Sequence, residues 1–267
     1  MVLKFLALLE EGGSDLYIVS AVLFLLGIVS ISFQQLLFSV LVLVGFVILI
    51  ILDKEKRFIA SLLLMFLFGF IGFMASTHFV GTLTISKESK ILLNRTSLVL
   101  IIIVLVTNYF FFKKKVSLYN AKPDWGNPIV LPFHRVNTFW FWLIGIAVNA
   151  MIYLFFILQK DLEYIQALFW FCLLFSLINA VFEEVIWRGI LLSALHAYTS
   201  TGFAIVVTSI GFGLLHLAIG FSFGLCLLIA MAGVIYAVIT LKTNSIYPSI
   251  VFHFIVNIGM VYSGLIL

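Results

Sequence analysis

Long apolar runs separated by short polar segments make up most of this sequence. A membrane-spanning helix needs about 20 mainly apolar residues. The segments that approach this length are 16–32, 35–52, 58–76, 96–112, 138–158, 167–190, 203–219, 222–241 and 246–265. Only "SFQQ" separates the first two, so this pair could form a helical hairpin or be partly re-entrant. The pattern predicts an all-α fold, a polytopic transmembrane helix bundle with eight or nine spans.

The composition agrees with a membrane protein and excludes an ordinary soluble domain. Hydrophobic residues make up 64% of the chain and charged residues only 10%, and the mean hydropathy is +1.28. A soluble domain needs far more polar surface to cover its core. The N-terminal segment does not resemble a signal peptide, because Glu10 and Glu11 follow a short apolar run. Cys172 and Cys226 stand alone in apolar runs and suggest neither a zinc nor a redox site.

The longest polar segment, residues 113–137, holds three of the four prolines and predicts a linker with an interfacial stretch. It divides the chain into three parts. We expect a membrane part of about four spans at 1–112, in which no motif is found, the polar loop at 113–137, and a second membrane domain at 138–267.

Loop charges predict the orientation of the bundle. With nine spans, one side holds ten cationic residues, Lys4, Lys54, Lys56, Arg57, Lys113, Lys114, Lys115, Lys122, Arg135 and Lys242. The other side holds four, Lys87, Lys90, Arg95 and Lys160. Cytoplasmic loops are enriched in Lys and Arg, so the N-terminus is expected in the cytoplasm, although an eight-span count would move the early loops. The low charge and the Ile, Phe and Leu bias suggest a bacterial cell membrane. The net charge of +4 is modest, and it is better explained by cationic loop residues that determine the membrane topology than by nucleic-acid binding.

Five ionisable residues lie within the apolar segments of the last third of the chain: Glu183, Glu184, Arg188, His216 and His253. One charge at the bilayer centre costs roughly 2.5–3.5 kcal/mol on insertion scales. A group of five therefore indicates side chains that face a protein interior or a water-filled cavity and satisfy one another there.

Helical spacing assigns these residues to faces. Glu184 and Arg188 are four apart with the acid first, which favours an ion pair. Glu183 is rotated by about 100° from Glu184, so this spacing leaves Glu183 free to act as a general base or acid. An ion-paired helix end at the membrane interface and an ion-translocating carboxylate of a transporter are the two alternatives at this point.

Two further motifs place chemical groups on common helix faces. Phe212 and His216 are four apart, so the phenyl ring could support the imidazole. His253 and Asn257 are also four apart, so an imidazole and an amide point the same way. Each motif alone is weak, because histidines and asparagines often join membrane helices through hydrogen bonds.

The ordered motifs, EExxxR at Glu183, Glu184 and Arg188, FxxxH at Phe212 and His216, and HxxxN at His253 and Asn257, resemble a known family. It is the CAAX protease and bacteriocin-processing (CPBP/Abi) family of intramembrane endopeptidases, which includes the type II CAAX prenyl proteases. The resemblance covers roughly residues 130–267. It implies a peptidase in which Glu183 and His216 activate water while His253 and Asn257 stabilise the oxyanion. Glu184, Arg188 and Phe212 would support these groups.

A metal-free mechanism is favoured, with zinc as the alternative cofactor. Glu183, His216 and His253 could supply three zinc ligands, but the sequence lacks HExxH. His216 lies late in its predicted span and His253 early in a span of the same direction, which would separate their depths by roughly 10 Å.

The expected partners are the lipid bilayer and a membrane-associated peptide or protein substrate. A catalytically silent regulator of another membrane protein is a second hypothesis, and a proton-coupled transporter a third. The transporter hypothesis is disfavoured because all intramembrane charge is expected in one half of the chain.

Overall fold

The computed structural model describes residues 15–52, 57–131 and 134–267. The predictions made for the N-terminal segment, including its comparison with signal peptides and the topological role of Lys4, lie outside these residues. The same holds for the topological roles of Lys54 and Lys56.

Helices dominate the described residues. They are α1 (Asp15–Ser32), α2 (Leu36–Leu52), α3 (Arg57–Thr82), α4 (Lys87–Thr96), α5 (Val99–Phe111), α6 (Thr138–Ile157), α7 (Leu162–Ala167), α8 (Phe169–Glu184), α9 (Ser193–Tyr198), α10 (Thr201–Leu215), α11 (Phe223–Thr243) and α12 (Tyr247–Tyr262). A π-helical segment (Val185–Leu192) joins α8 to α9, and a 3₁₀ turn (His216–Ile219) follows α10. Each predicted span overlaps helices of this set, and the expected all-α fold is confirmed.

Length and apolar composition identify the helices that can cross a membrane. Within the described residues six are long enough: Arg57–Thr82, Lys87–Phe111, Thr138–Ile157, Phe169–Tyr198, Thr201–Ile219 and Phe223–Thr243. Three apolar helices are shorter: Leu16–Ser32, Leu36–Leu52 and Tyr247–Tyr262. This set is that of a multi-pass membrane protein. The count of eight or nine spans and the orientation stay predictions.

The polar loop contains a small β-hairpin that the apolar pattern did not predict. Strands β1 (Ile129–Leu131) and β2 (His134–Val136) pair antiparallel. The preceding chain packs on the end of α11, where the backbone N–H of Asp124 donates to the carbonyl of Thr243 at 2.8 Å. Strands of three residues carry too few apolar positions to show a period of two, which is why the hairpin escaped the sequence pattern.

The helices on both sides of the polar loop share one apolar core. The ring of Phe24 in α1 lies 5.1 Å from Phe66 in α3, and Phe66 lies 5.0 Å from Trp187 in the π-helical segment. All three side chains are buried. In addition, α1 packs on α10 and α4 packs on α8. The predicted boundary at 113–137 therefore separates two parts of one packed bundle.

Glycines allow α10 and α11 to approach closely. A Cβ at Gly213 would clash with the carbonyl oxygen of Cys226 and with Ala230, and one at Gly233 would lie 3.1 Å from the Cα of Ser209. Small residues at such crossings let membrane helices pack backbone to backbone. This contact fixes the end of α10, where His216 begins the 3₁₀ turn, against α11.

We predict that Gly213→Ala destabilises the bundle while Gly224→Ala does not. Overpacking at Gly213 is expected to cost about 1–3 kcal/mol, whereas a Cβ at Gly224 meets open space. Alanine is also the better helix former, so Gly224→Ala should be neutral or slightly stabilising. Thermal unfolding of the purified variants in detergent measures both effects. Equal midpoints for the two variants would contradict the close packing of α10 on α11.

Candidate active site

Two adjacent glutamates end α8 inside the bundle. Glu183 and Glu184 are both fully buried, and Arg188 in the π-helical segment is buried beside them. The Nη1 atom of Arg188 lies 3.1 Å from Oε1 of Glu184, so the predicted ion pair is present. The guanidinium also donates through Nη2 to the carbonyl of Gly233 at 3.2 Å and lies 4.4 Å from the centre of the Phe212 ring. Arg188 is thus held by charge, hydrogen bond and aromatic ring together.

The helix changes from α-helical to π-helical directly after Glu184. Such segments are rare and often occur at functional sites, because they reorient the side chains around one turn. The π-helical segment carries Trp187 into the shared core and Arg188 toward Glu184. An apolar pattern over eight residues does not distinguish this wider turn from an α-helical one, so the sequence analysis missed it.

Glu183 is not unpaired, as its helical spacing alone had predicted, while its role as a general base or acid stays a prediction. Its Oε1 lies 3.6 Å from Nη1 of Arg95, and its Oε2 lies 3.5 Å from Nε2 of His253. Neither carboxylate oxygen accepts a hydrogen bond from any of the residues that the structure describes. The carboxylate is therefore paired with the guanidinium of Arg95 and next to the imidazole of His253, and neither of its oxygens is taken up by a hydrogen bond within the described residues.

Arg95 was expected in a polar loop, and this too is wrong. It lies in α4 with 7% of its surface exposed, and its Nη1 donates to Oδ1 of Asn179 at 3.3 Å. The apolar residues 91–93 before it and the long apolar run after Ser97 are the signal that would have placed it within a span. The expectation that all intramembrane charge lies in one half of the chain therefore fails, and with it the main objection to a transporter.

His253 bridges the two glutamates. Its Nδ1 lies 3.0 Å from Oε1 of Glu184, to which it donates, and its Nε2 faces Glu183. The imidazole stacks on the ring of Tyr236, with centroids 5.1 Å apart and an interplanar angle of 18°. Contacts thus run in sequence from Arg95 through Glu183, His253 and Glu184 to Arg188. We refer to these five residues as the buried charge chain.

His216 caps α10 and is held by the predicted partner on its own helix. Its Nδ1 lies 2.9 Å from the carbonyl oxygen of Phe212, and the two rings meet edge to face at 5.2 Å. Because Nδ1 donates to this carbonyl, Nε2 is the nitrogen that can contact another group. The hydrogen bond of His216 thus lies within α10 rather than toward Glu183.

The two histidines meet at one aromatic ring. Phe212 lies 5.2 Å from the ring of His216 and 5.8 Å from the ring of His253. The difference in depth expected from the span boundaries, roughly 10 Å at 1.5 Å per residue, therefore does not keep them apart.

A cavity of about 420 Å³ lies beside these groups. Its wall contains the three predicted residues His216, His253 and Asn257, together with Arg95 and Asn179, and is otherwise mainly apolar. The Nδ2 atom of Asn257 is buried and has no hydrogen-bond partner among the described residues. Glu183 lies behind this wall, in contact with Arg95 and His253. A cluster of buried polar and charged side chains thus adjoins a mainly apolar cavity.

The donor arrangement does not fit the zinc alternative. Among the residues that the structure describes, no group of three or more His, Cys, Asp and Glu side chains is arranged to hold a metal ion. Glu183, His216 and His253 lie near the same cavity, but their side chains are not arranged as a set of metal ligands. We therefore derive no step through a metal.

Residues 165–259, just over a third of the chain, match the family model described as type II CAAX prenyl endopeptidase Rce1-like. No curated protein and no solved structure matches the chain. The matched segment contains all seven motif residues of the three helices, so the resemblance predicted from those motifs is confirmed. At the level of the family, this match supports an intramembrane endopeptidase of the CAAX type.

We predict that Arg188→Met destabilises the protein by about 3–5 kcal/mol, because it strands the buried Glu184 without its main cation. Adding Glu184→Gln should recover part of the loss, because the stranded charge is then removed. Thermal unfolding of the single and double variants in detergent measures the coupling. Effects of the two substitutions that simply add would contradict a mutually dependent pair.

Proposed function

We propose that this protein is an intramembrane endopeptidase that hydrolyses a peptide bond in a membrane-associated peptide or protein. The observation that carries the proposal is the convergence of His216, His253 and Asn257 on one mainly apolar cavity, with the buried Glu183 directly behind its wall. The family match supports the same activity more generally.

Glu183 is proposed as the general base for the attacking water. Neither of its oxygens accepts a hydrogen bond from the described part of the chain, and it contacts the cavity-lining side chains Arg95 and His253. The water oxygen attacks the carbonyl carbon of the substrate while its proton passes to the carboxylate. His216 assists through Nε2, since its Nδ1 is bonded to Phe212.

Asn257 is proposed as the main oxyanion donor. Its buried Nδ2 lacks another partner in the described part of the chain, so it can donate to the oxygen of the tetrahedral intermediate. Such a donor is most effective in a water-poor site of low dielectric constant. His253 is proposed as a second donor in its doubly protonated form, in which Nδ1 donates to Glu184 and Nε2 also carries a hydrogen.

Collapse of the tetrahedral intermediate breaks the carbon–nitrogen bond and requires a proton on the leaving amine. The proton taken from water returns from Glu183, directly or through His216, so the products are a carboxylic acid and an amine. Glu183 thus acts twice, as a base in the first step and as an acid in the second, and His216 can relay the proton.

The cavity suits an apolar substrate segment. Its wall carries Phe175, Phe212, Ile229, Val256 and Met260 beside the polar groups. We propose a CAAX-type tail or another apolar membrane peptide as the substrate class, cleaved in a bacterial cell membrane by a chain whose N-terminus is cytoplasmic.

We predict that Glu183→Gln lowers the cleavage rate by at least about a hundredfold, since the amide cannot accept the proton of the attacking water. The assay uses the full chain in proteoliposomes with prenylated CAAX-type and unprenylated apolar peptides, and mass spectrometry identifies the products. Glu163→Gln, on the exposed face of α7, is the matched control. Undiminished cleavage by Glu183→Gln would contradict the mechanism, and no cleavage by the wild-type chain would contradict the activity.

We predict that Asn257→Ala lowers kcat by about 10²- to 10³-fold with little change in KM, because the donor acts on charge that develops only in the transition state. Asn149→Ala is the matched control, since its Nδ2 donates to the carbonyl of Gly145 within α6. Steady-state kinetics on a cleaved peptide separate the two constants. A rise in KM at unchanged kcat would assign Asn257 to substrate binding instead.

A further inference from the structure

Arg95 lies in α4, well before the matched segment 165–259, and belongs to the half of the chain in which the sequence shows no motif. It occupies the last turn of that helix, and its guanidinium nevertheless reaches the centre of the site. It lines the cavity together with His216, His253 and Asn257.

The contacts of Arg95 converge on one face of α8. Its Nη1 donates to Oδ1 of Asn179 at 3.3 Å and lies 3.6 Å from Oε1 of Glu183. Asn179 and Glu183 are four residues apart, so they lie about one helical turn apart on that face. The guanidinium carbon lies 6.0 Å from the centre of the buried Phe73 ring in α3. Arg95 therefore contacts Phe73 of α3 and one face of α8 through Asn179 and Glu183.

The two oxygens of Glu183 face groups from different helices. Arg95 of α4 lies against Oε1, and His253 of α12 lies against Oε2. Contacts at both oxygens restrict rotation of the carboxylate about its last bond. Because the hydrogen bond to Asn179 fixes the planar guanidinium, its charge is held at one place against Oε1 of Glu183, which a flexible ammonium group would not achieve as well.

We propose that Arg95 is a positioning residue that orients the Glu183 carboxylate for water activation, so that the N-terminal half of the chain completes the active site. This inference rests on the proposed function, because it explains what orients the general base that the proposed reaction needs. A misplacement of about 1 Å in a reacting group can lower a rate about a hundredfold. Arg95 needs no contact with the substrate to have an effect of that size.

The test compares Arg95→Met, Arg95→Lys and Arg95→Ala with the wild-type chain in proteoliposomes. We expect Arg95→Met to lower kcat by about a hundredfold at nearly unchanged KM. Arg95→Lys keeps the cation without the planar donors and should recover only part of kcat. Added guanidinium should raise the kcat of Arg95→Ala, because the position lines the cavity. Lys87→Met, which removes an exposed cation from the same helix, is the matched control and should leave kcat unchanged.

The outcomes separate this inference from the proposed function. Wild-type kcat in Arg95→Lys, or no response of Arg95→Ala to guanidinium, would overturn the positioning role. Wild-type kcat in Arg95→Met beside an inactive Glu183→Gln would overturn it too, while the proposed function would stand. Full activity of Glu183→Gln would overturn the proposed role of Glu183 as the base, and no cleavage by the wild-type chain would overturn the proposed function itself. If Arg95→Met does not accumulate as folded protein, Arg95→Lys is used instead, provided that its unfolding midpoint is unchanged. A reduced kcat of this variant then supports the positioning role.

Discussion

The buried charge chain is the interaction on which the site depends. Arg95, Glu183, His253, Glu184 and Arg188 contact one another in sequence inside an apolar bundle. An unpaired buried charge is strongly unfavourable, so Arg95, Glu183, Glu184 and Arg188 each require their neighbours. The chain of contacts also joins α4, α8, the π-helical segment and α12. The need to pair these buried charges therefore also sets the relative positions of the helices that form the candidate site.

This arrangement gives the N-terminal helices a role in the site. Phe24 and Phe66 pack against Trp187 in the shared core, and α4 carries Arg95 to the cavity wall. Three residues of the motifs, His216, His253 and Asn257, line the cavity, yet the arginine beside Glu183 comes from outside the matched segment. We infer that residues 165–259 alone would lack a complete site.

Much of the fold followed from the sequence because apolar length is a strong signal for membrane helices. The pair of Glu184 and Arg188 also followed, since local spacing fixes it. Long-range partners did not follow: no helical periodicity places Arg95 against Glu183, 88 positions along the chain, or His253 between two glutamates. The π-helical segment and the β-hairpin were missed because both depend on backbone hydrogen bonding that short apolar patterns do not encode.

The most direct test of the central claim is an experimental structure of the full chain with a phosphinate peptide, whose tetrahedral phosphorus carries two oxygens in place of the attacking water and the oxyanion. The proposal predicts one phosphinate oxygen against Glu183 and the other within hydrogen-bond distance of Asn257 Nδ2, with Arg95 still beside Glu183. A phosphinate bound away from both residues, or an Arg95 turned out of the site, would contradict it.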